Sequence, residues 1–230
     1  GLQIKGDGTT AGALQMNCEQ NSHGIKLQSP PHSANQSYTL KFPSGNVTAG
    51  KFLKVDSVSG SGTTGIGTMT FADAGGITEA DQWRLSANFT SSSSTGFITS
   101  NWERNDTTGF AKIGTGLTES SGVFSFASTG IYKIELSMMA YGNGGARFYW
   151  GNGIYTTVNN SSYTSSSMSY ESSYTNNAYG TIYTAFIFDV TDTSTHKFKI
   201  FFETAGASTI WESDSSRQSN NLTVTRLGNT

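Results

Sequence analysis

The chain has 230 residues, enough for one large domain or for a medium domain with an appendage. Ser, Thr, Gly and Asn supply nearly half of these residues, whereas charged residues make up only 13% and the net charge is −2. Because so weak a field attracts neither nucleic acid nor anionic lipid, the composition excludes a charge-driven DNA or RNA binder. The longest apolar run, Thr184–Val190, is far too short to span a bilayer, so we expect no membrane insertion.

The secondary-structure signal is that of an all-β protein. No window carries apolar residues at helical spacing over three turns, and Gly, Ser, Thr and Asn interrupt every candidate helix. Short alternating or β-branched runs recur instead between turn-forming clusters. The single cysteine, Cys18, excludes an internal disulfide and a zinc site made of several cysteines. Aromatic residues reach 12%, too many for a disordered chain.

Residues 1–76 carry only very short strand patterns. Apolar residues alternate with polar ones in Leu14-Met16-Cys18, Ile25-Leu27, Leu40-Phe42 and Met69-Phe71. So few apolar residues, so widely spread, cannot build an independent core, and we expect these strands to be buried largely against other chains. Ser57–Gly67 is flexible by composition and is predicted to be a connector. We therefore interpret residues 1–76 as a stalk segment that needs oligomerisation.

Residues 77–230 carry stronger patterns, with turn signals between them. The predicted strands are Phe97–Arg104, Val123–Phe126, Gly130–Met139, Ala146–Gly151, Thr181–Val190, Lys197–Glu203 and Asn221–Leu227. About eight strands over this length favour a β-sandwich or jelly roll over an up-and-down barrel. Trp83 and Trp102 are expected to help bury the sandwich. The alternation places its core on Tyr132, Ile134, Leu136, Met138, Phe186, Phe188, Phe198, Ile200, Phe202 and Val224.

Three segments of this C-terminal region resemble the C1q/tumour-necrosis-factor (TNF) jelly-roll superfamily. GVFSFASTGIYKIELSMMAY (Gly122–Tyr141) is similar to the family's short strand and Gly-x-Tyr turn leading into a long inward-facing strand. Thr181–Glu203 is similar to the family's pair of strands joined by a tight polar turn, and Leu222–Leu227 to its closing strand. The resemblance implies a head domain that assembles about a three-fold axis.

The N-terminal region resembles a different group of proteins. Leu14–Ser57 is similar to a segment of fibre and other structural proteins of marine phages, especially cyanophages, where it precedes variable C-terminal domains. This resemblance implies a parallel homotrimer located in the virion. Together the two resemblances imply a distal piece of a phage fibre, a trimeric stalk followed by a jelly-roll tip. The N-terminal Gly1 fits a fragment of a longer chain.

Two sequence patterns suggest ligand sites but are better explained structurally. Gly60–Gly65 matches G-x-G-x-x-G, yet no helix follows it, so we interpret it as part of the linker and not as a nucleotide loop. Cys18, His23 and His32 form a chemically sensible zinc set. Cys18 nevertheless continues the Leu14-Met16 alternation, which favours a small buried hydrophobe. We therefore expect no cofactor and no metal.

Carboxylates give no clear catalytic site. Glu212 and Asp214 beside Trp211 are the best candidates for the acid pair of a glycosidase, but no hydrolase motif accompanies them. Asp189 and Asp192 are candidate calcium ligands, a use seen in some C1q-like heads, although no D-x-D-x-D-G loop is present. The sequence therefore predicts no catalytic residue and no enzyme.

The segment NNSSYTSSSMSYESSYTNNAYG (Asn159–Gly180) is the candidate binding surface. Tyrosine supplies rigid amphipathic contact area, and Ser and Asn supply adaptable hydrogen bonds, as in antibody paratopes. The alternative is a polar edge strand with a solvated loop and no binding role. The predicted receptor-binding residues are the tyrosines of this segment and its aromatic neighbours: Tyr155, Tyr163, Tyr170, Tyr174, Tyr179, Trp150 and Trp211.

The sequence thus predicts a non-enzymatic tail-fibre region, a homotrimer that adheres to a bacterial cell-surface glycan or protein. Its other partners would be virion fibre or capsid proteins, with no nucleic acid. Two alternatives stay open at this point. One is a capsid-attached head fibre or decoration protein without a receptor role, and the other is a tail-associated glycan depolymerase.

Overall fold

The computed structural model of the chain describes residues 1–73, 75–145, 147–173, 175–205 and 208–230. The chain divides into two compact units, Gly1–Gly75 and Gly76–Thr230. Nearly all regular structure is β, which confirms the predicted all-β class. Within the described ranges the helical segments are two 3₁₀ turns, His32–Ala34 and Gly62–Thr64, and no helix is long and apolar enough to cross a membrane.

The N-terminal unit begins with an antiparallel hairpin of β1 (Ala13–Asn17) and β2 (Gly24–Gln28). Leu14 lies opposite Leu27 and Met16 lies opposite Ile25, so these four apolar side chains share one face of the hairpin. All four side chains are between 43% and 71% exposed. The chain therefore leaves one face of this hairpin apolar and uncovered.

The rest of the N-terminal unit is a small sheet of β3 (Thr39–Lys41), β4 (Phe52–Ser59) and β5 (Ile66–Ala72). β5 lies in the middle, parallel to β3 and antiparallel to β4. The prediction of a flexible connector at Ser57–Gly67 is wrong, because Ser59 pairs with Ile66 across a tight turn. Gly60 and Gly62 adopt φ of 80° and 63° in this turn, a conformation that favours glycine. The glycine-rich motif is thus a hairpin turn.

The C-terminal unit is a sandwich of two antiparallel sheets. Its first sheet contains β6 (Ala80–Leu85), β7 (Ala87–Thr90), β9 (Trp102–Arg104), β12 (Gly130–Gly142), β15 (Tyr179–Val190), β17 (Thr209–Asp214) and β18 (Asn221–Gly228). Its second sheet contains β8 (Thr95–Phe97), β10 (Thr118–Ser120), β11 (Val123–Ser125), β13 (Arg147–Thr157), β14 (Thr164–Ser173) and β16 (Lys197–Thr204).

Strand order within each sheet determines which side chains meet. In the first sheet, β12 pairs with β15 along one edge and with β17 and β18 along the other; β7 lies beside β17, and β6 and β9 follow β18. The order in the second sheet is β10-β11-β16-β13-β14, and β8 also pairs with β16. β14 is therefore an edge strand.

The core lies between the two sheets, where the alternation predicted it. Strands β12 and β16 alternate strictly between buried and half-buried residues. Nine of the ten predicted core residues are buried, namely Tyr132, Ile134, Leu136, Met138, Phe188, Phe198, Ile200, Phe202 and Val224, and the tenth, Phe186, packs against them. Trp83 and Trp102 are also in the core, as predicted.

One predicted strand, Phe97–Arg104, is in fact two. β8 belongs to the second sheet and β9 to the first, and the chain crosses between them at Asn101, whose φ is 67°. A residue in this left-handed conformation cannot continue a strand. The crossing places Phe97 on the second sheet, where it contributes to the site described below.

Candidate functional site

The middle of the Tyr/Ser-rich segment 159–180 is a strand, β14, and not a loop. β14 pairs with β13 along nearly its whole length, as in the alternative of a polar edge strand. Serine suits this position because its hydroxyl finds partners within the unit: Ser166 Oγ lies 2.7 Å from Thr156 Oγ1, and Ser167 Oγ hydrogen-bonds Thr184 Oγ1. Tyr174 lies outside the described residues.

Two of the predicted binding residues are core residues, which corrects their assignment. Trp150 and Trp211 are fully buried, because they lie at inward positions of β13 and β17. The indole N–H of Trp211 donates a 2.7 Å hydrogen bond to Oδ1 of the buried Asn152. Neither tryptophan can reach a ligand on the surface.

The outer face of the second sheet carries two groups of aromatic rings, one around Phe97 and the other the pair Tyr149 and Tyr170. Tyr155 stacks on Phe201 with ring centroids 4.5 Å apart. Phe97 meets each of these rings edge-on at 5.5 Å. Tyr163 joins them from the loop after β13, with its centroid 6.4 Å from that of Phe97. We call the rings on this face the aromatic strip, which consists of Phe97, Tyr149, Tyr155, Tyr163, Tyr170 and Phe201.

Two glycines of β13 make room for side chains of β14 at the far end of the strip. A Cβ at Gly151 would lie 2.6 Å from Cδ1 of Tyr170, and a Cβ at Gly153 would lie 2.8 Å from the carbonyl oxygen of Ser167. Gly153 makes room for Met168, the side chain that a Cβ there would meet first, and Gly151 makes room for Tyr170. The Tyr170 ring contacts Tyr149 edge-on at 5.8 Å.

Glu203 fixes the two tyrosines at this end of the strip. Tyr149 donates its hydroxyl to Oε1 of Glu203 at 3.2 Å, and Tyr170 donates to Oε2 at 3.0 Å. The hydrogen bond to Glu203 raises the pKa of the Tyr149 phenol, and partial burial followed by the same carboxylate raises the pKa of Tyr170. Both phenols therefore stay neutral donors at physiological pH, and Tyr170 remains 54% exposed.

The opposite end of the strip borders an open depression of about 480 Å³. Its floor consists of outward-facing residues of β10, β11 and β16, and the loop after β13 forms its wall. The lining residues are Thr118, Glu119, Ser120, Val123, Ser125, Asn160, Ser161, Tyr163, Lys197 and Lys199. The concave surface thus combines hydroxyl groups, one aromatic ring, two ammonium groups and one carboxylate.

The loop that forms the wall is held by one asparagine. Oδ1 of Asn159 accepts hydrogen bonds from the backbone N–H groups of Ser161 at 3.0 Å and Ser162 at 2.9 Å. Asn160 adopts φ of 59°, and its N–H donates to the carbonyl oxygen of Thr195 at 3.0 Å. These bonds position Tyr163 before any ligand arrives.

Lys199 links the depression to the strip. Its ammonium nitrogen lies 4.3 Å from the ring centroid of Tyr163 and 5.2 Å from that of Phe97, both within cation–π range. Glu119 is engaged by the backbone N–H of Gly122 at 2.6 Å. Among the ion pairs of the described residues, none involves Lys197 or Lys199.

Several solved structures are similar in fold to this chain. No protein-family model and no curated protein matches the chain. Among solved structures it is similar to Eiger, a TNF from S. frugiperda, with a TM-score of 0.50 and 11% identity over 67% of this chain and 96% of that one. Murine APRIL (TM-score 0.48, 14% identity, 65% and 98% coverage) and vertex protein P5 of PRD1 (0.41, 18%, 67% and 100%) also match.

The chain contains a TNF-type jelly roll. At 11% identity the Eiger match bears on the fold alone, and it confirms the predicted jelly-roll architecture. The sandwich agrees with it, since two antiparallel sheets enclose one core. The assignment of the outer face as a candidate site rests on the geometry of this chain.

Tyr179 lies apart from the other predicted tyrosines. It is on β15, in the first sheet, where its ring packs on Tyr141 with centroids 4.8 Å apart and its hydroxyl donates to Glu212. The structure therefore brings together Tyr155, Tyr163 and Tyr170 but not Tyr179.

Sequence reasoning missed four members of this site: Phe97, Tyr149, Lys199 and Phe201. The alternation of Lys197–Glu203 contained a usable signal, since its outward positions place Lys199, Phe201 and Glu203 on one face. The contribution of Phe97 depends on the pairing of β8 with β16, two segments about a hundred residues apart. No local pattern predicts that contact.

The other candidate chemistries receive no support from the described residues. Glu212 accepts the Tyr179 hydroxyl, and Asp214 pairs with Arg217 at 2.8 Å and caps Ser216. Asp192 caps the turn at Ser194 with a 2.8 Å bond. Across the described ranges, no group of three or more His, Cys, Asp or Glu side chains could hold a metal ion.

Proposed function

We propose that the chain is the distal part of a phage fibre, a homotrimeric and non-enzymatic adhesin that binds glycans of the bacterial surface. The observation that carries the proposal is the aromatic strip on the outer face of the second sheet. Its rings are half-buried or exposed, Glu203 holds the hydroxyls at one end, and Lys199 lies beside the rings at the other. This is a surface that a globular domain does not need for its own stability.

The chemistry of the strip suits a carbohydrate ligand. A sugar ring has apolar C–H faces, which stack on Tyr and Phe rings, and hydroxyl groups at its edge, which hydrogen-bond to Ser, Asn and carboxylate groups. Tyr155 and Phe201 provide half-buried aromatic surface, and Glu203 provides acceptor oxygens beside Tyr170. The strip therefore offers both kinds of contact along one line.

Charge has little part in bringing such a ligand to the protein. The net charge is −2, so long-range steering is weak and recognition depends on short-range contacts. Single sugar sites of this kind bind weakly. Three heads in one trimer compensate through the high effective concentration of the second and third sites.

The N-terminal unit supports the trimeric part of the proposal. The exposed apolar face of the β1–β2 hairpin consists of Leu14, Met16, Ile25 and Leu27. Further exposed apolar residues lie on the sheet of β3, β4 and β5, among them Leu40 and Val58. We propose that the occupant of these surfaces is the same unit of two further copies, because obligate assemblies bury core-like interfaces of this composition.

Adsorption to bacterial cells tests the adhesin proposal. The full chain, labelled with a fluorophore, is incubated with a panel of marine cyanobacterial strains that have been treated with buffer, with periodate or with protease. Periodate cleaves vicinal diols of surface glycans, whereas protease removes surface proteins. We expect the protein to adsorb to at least one strain. Periodate treatment of that strain should abolish adsorption, and protease treatment should leave adsorption unchanged.

Three results contradict the proposal or a part of it. Adsorption to none of the strains argues for a fibre or decoration protein without a receptor role. Adsorption that protease abolishes and periodate leaves unchanged identifies a protein receptor in place of a glycan. Release of reducing ends from the cells would contradict the non-enzymatic part of the proposal.

A further inference from the structure

The depression beside Tyr163 differs in charge from the rest of the surface. The protein as a whole is slightly negative, yet Lys197 and Lys199 both line this depression. They are two residues apart on β16, so their Cα atoms are about 7 Å apart and their side chains point to the same face. Neither lysine takes part in an ion pair among the described residues.

We infer that this depression selects saccharides that carry an anionic group, with Lys197 and Lys199 binding the anion and Tyr163 stacking on the sugar ring. The inference rests on the proposed function and deepens it, because it names the class of glycan that the strip binds. The anionic group is a carboxylate, as in a uronic acid, or a phosphate substituent. Both are bound by lysine ammonium groups through the same charge-assisted hydrogen bonds.

The position of Lys199 carries the argument. Its ammonium group sits over one face of the Tyr163 ring at 4.3 Å, so an anion bound to it brings the attached sugar beside that ring. Neither Lys199 nor Lys197 forms an ion pair among the described residues. Glu119, which accepts the Gly122 N–H, contributes one carboxylate to the same lining, so the two lysines leave the depression with one excess positive charge for an external partner.

The rest of the lining suits the neutral part of such a ligand. Ser120, Ser125, Asn160 and Ser161 present hydroxyl and amide groups to the same depression. The wall loop is already fixed by Asn159, which lowers the entropy cost of ordering it on binding. The depression thus offers Tyr163 to the apolar face of a sugar ring, hydroxyl and amide groups to its hydroxyls, and two lysines to its anionic substituent.

Three matched glycosides test the inference on the full chain. The probes are methyl β-glucuronide, methyl β-glucoside 6-phosphate and the neutral methyl β-glucoside. Saturation-transfer difference NMR at millimolar concentration gives the three dissociation constants. We expect at least one anionic glycoside to bind about fivefold or more tightly than the neutral one, and the ratio of the two anionic probes identifies the preferred group.

Lysine variants locate the effect. Lys197→Gln and Lys199→Gln should each reduce the ratio of anionic to neutral glycoside affinity by about half or more. Lys26→Gln is the matched control, because Lys26 is an exposed lysine of β2 in the N-terminal unit. It removes the same charge without touching the depression, and it should change nothing.

Each contrary outcome overturns a defined part of the account. Equal affinity for all three probes, or a preference that survives in both lysine variants, overturns the inference and leaves the proposed glycan adhesin intact. Failure of all three probes to bind at millimolar concentration also overturns the inference. The proposed function fails separately, when adsorption to cells is absent or insensitive to periodate.

Discussion

The indole of Trp211 and the side-chain amide of Asn152 form a 2.7 Å hydrogen bond across the interior of the sandwich. Trp211 belongs to β17 of the first sheet, and Asn152 belongs to β13 of the second. Both side chains are fully buried, and Asn152 also donates to the carbonyl oxygen of Phe201 at 3.1 Å. This one amide therefore connects the first sheet to the strand that carries part of the aromatic strip.

Removal of that amide should be costly. Asn152→Ala leaves the Trp211 N–H buried without an acceptor, and we expect the free energy of unfolding to fall by about 1–3 kcal/mol. Combination with Trp211→Phe tests the cause. Trp211→Phe already removes the donor. In denaturant titrations the double variant should therefore lose clearly less unfolding free energy than the sum of the losses of the two single variants. Strict additivity would show that the hydrogen bond contributes nothing.

Core truncation tests the predicted packing of the jelly roll. Leu136→Ala and Ile200→Ala remove aliphatic groups that are almost completely buried, and each should lower the free energy of unfolding by about 2–5 kcal/mol. Val158→Ala is the control, because Val158 is 61% exposed in the wall loop. Equal effects at buried and exposed positions in urea titrations would contradict the assignment of the core.

Much of this core could be predicted from the sequence, for a physical reason. A strand that is buried on one face needs apolar residues at every second position, and β12 and β16 follow that rule over their whole length. The period also predicts the direction of each side chain. The predicted set of ten residues thus needed no knowledge of which strands pair.

The binding surface was less accessible to sequence reasoning. The sequence predicts Trp150 and Trp211 at the surface as aromatic neighbours of the Tyr/Ser-rich segment, but each sits in a strand whose apolar alternation is too weak to reveal the buried face. For β13, the glycines at outward positions 151 and 153 did indicate which face of the strand is buried. The polar composition of β14 concealed a strand, because its side chains find hydrogen-bond partners and need no apolar burial.

The trimer proposal predicts a mass of three chains in solution. Light scattering at micromolar concentration should report this mass for the wild type, together with a single melting transition that shifts with protein concentration. Ile25→Asp places a charge on the apolar face of the β1–β2 hairpin and should lower the mass. Lys26→Ala alters the adjacent position on the opposite face and should preserve the trimer. A folded wild-type monomer contradicts the proposal.

Cys18 should be an unusually acidic thiol. A hydrogen bond from the Ser22 hydroxyl, followed by backbone N–H groups of the same turn, lowers the pKa of the Cys18 thiol to about 6. Since the thiolate is the reactive form, iodoacetamide should alkylate Cys18 at neutral pH, with a rate that is half-maximal near this pKa. Ser22→Ala should move the midpoint upward. A wild-type midpoint above about pH 8 would match an ordinary cysteine and contradict this account.

The central claim is that the aromatic strip of the second sheet, and not the first sheet, contacts the bacterial surface. The double variant Tyr163→Ser and Tyr170→Ser removes one ring at each end of the strip. Tyr179→Ser removes a tyrosine of the same 54% exposure as Tyr170 from the first sheet. Circular dichroism melting of each variant establishes that the fold is retained.

Adsorption of these labelled proteins to cells that bind the wild type is the most direct measurement of this claim. We predict that the double variant loses about tenfold or more in apparent affinity, because each lost ring contact is multiplied across the three heads. Tyr179→Ser should adsorb like the wild type. Wild-type adsorption by a folded double variant, or loss of adsorption in Tyr179→Ser alone, would contradict the account.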